Sequence, residues 1–128
     1  MFINSKKQGD AGLGQAIAFF TLKGYNVALP LTDSADWDMI VEIDGVLKKV
    51  QVKTSTQLGL NGHMIFEGSV SGGNKSSSSV KLIKDQDWDL IFLHHLVTGK
   101  QALIPKSEIT TKNRISLRSD NYTEYRLN

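Results

Sequence analysis

The chain of 128 residues has no cysteine, so disulfides and thiolate-metal centres are both excluded. No stretch approaches the ~18 consecutive apolar residues that a membrane-spanning helix needs. The opening residues MFINSKKQGD lack an apolar run after their charges and do not read as a signal peptide. Without membrane or export signals, a cytoplasmic location and no membrane partner are expected. Proline is scarce: of the two, Pro30 and Pro105 each read as the stop of a strand. Neither sign of charge dominates, with 15 basic against 13 acidic residues and a net charge of +2. That balance suits a nucleic-acid partner without demanding one. There is no internal repeat and no linker, so residues 1–128 are expected to form one domain.

What is present is ordinary globular material, 40% apolar and 22% charged, enough for a single core. Lysines and arginines fall in three local groups: Lys48, Lys49 and Lys53; Lys75, Lys81 and Lys84; Lys112, Arg114 and Arg118. From Asp10 to Lys23, Leu13, Ala16, Ile17 and Phe20 recur at helical spacing, and Gly24 supplies a stop. Strands are expected at 25–29, on both sides of Asp44-Gly45, at 63–70, at 89–95, at 101–104 and at 115–117. Asp44-Gly45 between two alternating runs is a strong hairpin signal. The loop SGGNKSSSS is Gly/Ser-rich with one lysine. One helix followed by strands predicts an α+β domain with a mostly antiparallel or mixed sheet.

A two-residue turn at 44–45 makes facing residue numbers add to 89. Ile43 then faces Val46, Val41 faces Lys48, Met39 faces Val50 and Trp37 faces Val52, an apolar face with Lys48 as its one misfit. The opposite face pairs Glu42 with Leu47, Ile40 with Lys49 and Asp38 with Gln51, and Lys53 follows on the same side. Directly opposed residues have Cβ atoms about 4.5–5.5 Å apart, so a carboxylate, an amide and an ammonium converge. Such a patch suits phosphodiester hydrolysis with a divalent ion. Mg²⁺ takes hard oxygen ligands, few of them from protein: the Asp38 carboxylate, the Gln51 amide oxygen and the Val52 carbonyl are candidates. Lys53 would orient a water or offset transition-state charge. On spacing alone the same residues also describe an ordinary sheet surface, with Asp38 and Lys53 a solvated pair worth less than ~1 kcal/mol.

The stretch from Gly9 to Ser55 resembles the core of the PD-(D/E)XK nuclease superfamily: helix, strand, acidic strand after a proline, then a strand ending in (E/Q)-x-K. Pro30, Asp38 and Gln51-Val52-Lys53 carry the match, and the Q-x-K form is similar to small homing endonucleases of bacteria and their phages. The segments SGGNKSS, DWDLIFLHH, ALIP and ISLR…YTEYRL extend the resemblance over nearly the whole chain. It implies a restriction-endonuclease core of α/β/α type, with a mixed sheet, a central hairpin and the N-terminal helix packed on it. It also implies a Mg²⁺-dependent DNA endonuclease, Mn²⁺ substituting, that acts as a homodimer or homotetramer. Asp38, Gln51 and Lys53 become the catalytic residues, and Asp38, Gln51 and Val52 the metal ligands. Lys49, Gly73, Asn74 and Lys75 are candidate DNA contacts, glycine allowing close approach and lysine meeting phosphate. A structure-specific nuclease like the Holliday junction resolvases, or a DNA-binding protein that has lost catalysis, are the alternatives. One departure stands out: many relatives carry a glutamate on the first helix where this chain has Leu13. Asp36 is read as a turn residue, His63, His94 and His95 as structural, and Trp37 and Trp88 as core or interface.

Overall fold

The computed structural model describes residues 4–71 and 80–128. Helix α1 spans Ser5–Leu22 and starts five residues before the expected Asp10. The cap is Asn4, whose Oδ1 accepts from Lys7 N–H at 3.0 Å, leaving Asp10 exposed inside the helix. Gly24, with φ of +85°, ends the helix as expected. Its N–H donates to Thr21 O, while Tyr25 N–H donates to Phe20 O, the double bond of a Schellman stop.

Among the described residues nine strands follow: β1 Asn26–Ala28, β2 Met39–Ile43, β3 Val46–Ser55, β4 Met64–Glu67, β5 Val70–Ser71, β6 Val80–Lys81, β7 Leu90–His95, β8 Gln101–Pro105 and β9 Arg114–Leu117. Five form a mixed sheet in the order β1-β2-β3-β7-β8, with β3 at its centre. Among the described residues only β3 and β7 run parallel, and the long crossover that such a pair requires carries β4, β5 and β6. The β2–β3 hairpin has the expected register from Ile43↔Val46 to Met39↔Val50. Asp44 and Gly45 both take positive φ, 52° and 79°, as this two-residue turn demands. The strand expected over 63–70 is divided after Glu67, where Gly68 and Ser69 turn their N–H groups to Asn113 O.

Alternation along the central strands sends side chains to two cores. On one face Ala16 and Phe20 of α1 pack on Met39, Val41, Val50 and Phe92. On the other, Ile91, Leu93, Ala102 and Ile104 meet Phe66 of β4 and Ile115 and Leu117 of β9. The fold is therefore α+β, with the N-terminal helix on a mixed sheet and a central hairpin. The layer on the far face is a β4–β9 ribbon rather than a second helix. Gly12 sets how close α1 lies: a Cβ there would stand 2.1 Å from Thr54 Cγ2 on β3. One expected facing pair fails. Trp37 packs in the ribbon-side core, not beside Val52, because the β2 ladder ends at Met39.

Candidate active site

Where the ladder ends, a side chain takes over from the backbone. Asp38 N–H donates to Val50 O at 2.8 Å. In an unbroken ladder Val52 would exchange hydrogen bonds with Trp37. Instead, Val52 N–H donates to Asp38 Oδ2 at 2.8 Å and lies 3.1 Å from Gln51 Oε1. An aspartate oxygen and an amide oxygen thus meet at one nitrogen. The Val52 carbonyl leaves β3 on the same side as its N–H. Two of the three oxygens named from the sequence, those of Asp38 and Gln51, are brought to one nitrogen by this break.

Burial gives the site its electrostatics. Gln51 is only 6% exposed, and Asp38 and Lys53 are half-buried. Burial pushes the Asp38 carboxyl above its ordinary range, opposed by the Val52 N–H and the Lys53 cation. Burial likewise pulls the Lys53 ammonium below its ordinary value, opposed by the charges of Asp38 and Glu67. Desolvation outweighs mutual attraction for both ions, which is common at functional sites and rare on a solvated sheet face. Beside Asp38 a cavity of about 480 Å³ is bounded by Leu13, Pro30, Trp37 and Asp38 itself. Leu13 therefore sits next to Asp38 and gives that wall a methyl surface.

Other expected residues separate. Asp36 is not a second site carboxylate: its oxygens accept from Lys81 Nζ at 2.8 and 3.1 Å and from Asp87 N–H at 2.8 Å. Those bonds, stronger than the Lys81 charge at a distance, hold its carboxyl below the ordinary range. Lys49 is tied to Asp87 at 2.9 Å on the surface. Gly73, Asn74 and Lys75 lie outside the described residues. His95 is buried, with Nε2 at 3.0 Å from Gln57 O, and His94 Nδ1 meets the Gln101 amide at 3.0 Å. Among the described residues no three His, Cys, Asp or Glu side chains cluster as a metal site. The sequence reading missed Glu67, whose charge is felt by Lys53 and whose Oε1 pairs with Arg114 at 2.7 Å. Its approach depends on β4 folding across β3, fixed by Ser55 Oγ donating to Ile65 O at 2.5 Å, and no local pattern announces that crossing.

A helix on a mixed sheet with Asp…Gln-x-Lys at the broken end of its central hairpin is a nuclease architecture, and the family comparison agrees. The chain belongs to the PD-(D/E)XK endonuclease family, whose model matches residues 3–126. Among solved structures it is similar to a bacterial homing endonuclease, I-Ssp6803I. The two share 22% identity and a TM-score of 0.72 over 98% of this chain and 88% of that one. No curated protein sequence gives a match.

Proposed function

We propose that this protein is a Mg²⁺-dependent endonuclease that hydrolyses phosphodiester bonds in DNA, acting as a homing-type homodimer or homotetramer in the cytoplasm. The observation that carries the reading is the convergence of Asp38 Oδ2 and Gln51 Oε1 on Val52 N–H, with the Lys53 ammonium half-buried beside them. The donor set fits a hard divalent ion: one carboxylate, one amide oxygen and one carbonyl, leaving water and phosphate to complete the shell. Asp38, Gln51 and Val52 would hold the ion, Mg²⁺ or Mn²⁺ in its place. When bound, it would polarise a phosphate oxygen and lower the pKa of a water. Asp38 contributes the one assured anionic ligand, and its bond to Val52 N–H keeps it aimed. Lys53 supplies a cation that offsets charge developing on the phosphate or orients the attacking water. Leu13 makes the cavity wall apolar where relatives place a carboxylate, so metal affinity is expected to be low.

The test compares wild type with Lys53→Ala on supercoiled plasmid and on a synthetic four-way junction, with Mg²⁺, Mn²⁺ or EDTA. Wild type is expected to cut only with metal, and the variant to lose on the order of 10²–10³-fold or more in rate. Preference for the junction would redirect the reading to a resolvase-like enzyme. DNA binding without cutting by either metal would defeat the enzymatic reading and leave a DNA-binding protein on a nuclease fold.

A further inference from the structure

A second cavity lies away from Asp38, at the end of the sheet where β3 and β7 begin and β8 ends. This groove of about 810 Å³ is walled by Lys48, Lys84, Lys106 and Lys112, with Asp89 the one acidic lining residue among the described residues. Four elements deliver the lysines. Lys48 is the misfit of the hairpin's apolar face, on β3. Lys84 and Lys112 are drawn together by Ile83 N–H donating to Lys112 O at 2.9 Å. Lys106 follows β8, with its Nζ on Gln86 O and 5.5 Å from the centre of the Trp88 ring. That wall is rigid, because the Gln86 side chain is itself held by Gly68 O and by Trp88 Nε1.

The ammonium groups of Lys48, Lys84 and Lys112 have no acidic partner among the described residues. Asp89, by contrast, already accepts from Lys49 N–H at 2.8 Å. Unneutralised cations above a floor with apolar side chains match a chain of anionic phosphates joined by apolar sugars. Lys48 is three residues before Gln51 on β3, about 10 Å at ~3.3 Å per residue. One DNA turn is about 34–36 Å, so a single duplex reaches both places.

Resting on the nuclease reading, we infer that this four-lysine groove holds the sugar–phosphate backbone of duplex DNA beside the segment being cut. The contact is sequence-independent and adds affinity rather than chemistry.

The experiment measures binding of a random duplex of about 30 base pairs by fluorescence anisotropy in EDTA across a salt series. Wild type is compared with Lys84→Gln/Lys112→Gln and with Lys100→Gln, a control at the other end of the sheet. Circular dichroism checks folding. Removing two phosphate contacts should flatten log K against log salt by about 1.8, at ~0.9 per contact, with the control unchanged. Wild type that binds with a slope the double variant does not change overturns the groove alone. Wild type that binds no DNA at all overturns the nuclease reading and the groove with it. A flattened slope in a protein that never cuts supports the groove while defeating the enzymatic reading.

Discussion

At the scale of single residues, Asp38 and Lys53 are placed at a cost to stability. The signs follow from the direction of each shift. The Asp38 carboxyl titrates higher in the folded chain than in the unfolded one, so its stabilising contribution exists below the ordinary carboxylate range and is lost as pH rises through the folded value. The Lys53 ammonium titrates lower when folded, so its contribution exists above the ordinary lysine value and is lost as pH falls through the folded one. Wherever both ions are charged, both penalties apply. Asp38→Asn/Lys53→Met keeps an oxygen for Val52 N–H and removes both charges. In EDTA at pH 7 the double variant should gain about 1–4 kcal/mol by urea unfolding while losing cleavage. The gain should shrink toward either pH extreme. A double variant less stable than wild type at pH 7 would show that the pair holds the fold together.

At the scale of elements, the distance between α1 and β3 depends on Gly12. A methyl there meets Thr54 Cγ2 at 2.1 Å and Val52 Cγ1 at 3.5 Å, whereas one at Gly14 meets nothing within 4 Å. Gly12→Ala is therefore expected to destabilise by about 1–3 kcal/mol through overpacking. Gly14→Ala, exposed in the same helix, should stabilise by roughly 0.5–1 kcal/mol. Because Val52 is a proposed ligand, Gly12→Ala should also reduce cleavage, and Gly14→Ala should not. Equal unfolding midpoints for the two variants would contradict the close helix–strand approach. The elements were largely legible: the hairpin register was readable because a two-residue turn fixes every pair by arithmetic. The helix start was misread because Asp10 and Asn4 are both good caps, and only the downstream N–H geometry selects Asn4.

At the scale of the whole molecule, large apolar side chains stay in water. Leu31 is fully exposed and Leu29 is 51% exposed, flanking Pro30 beside the cavity next to Asp38. Unburied leucines of this kind mark surfaces that associate. With the proposed oligomer, sedimentation equilibrium should return a multiple of the 14.2 kDa chain mass. Leu31→Ser should shift that mass toward the monomer. A monomer at every concentration would remove the oligomeric part of the proposal.

The sequence by itself determined the class of fold and the register of the hairpin, because turn chemistry and a two-residue side-chain period are local rules. It could not determine where the ladder would break. A regular hairpin places Asp38 opposite Gln51, and only tertiary packing, which draws Trp37 into the ribbon-side core, frees Val52 N–H for the carboxylate. The same holds for Glu67 near Lys53 and for the four lysines of the groove, which come from segments far apart in the chain. Their meeting depends on a parallel β3–β7 pair whose long crossover folds back over the sheet, and no local pattern encodes where such a crossover lands.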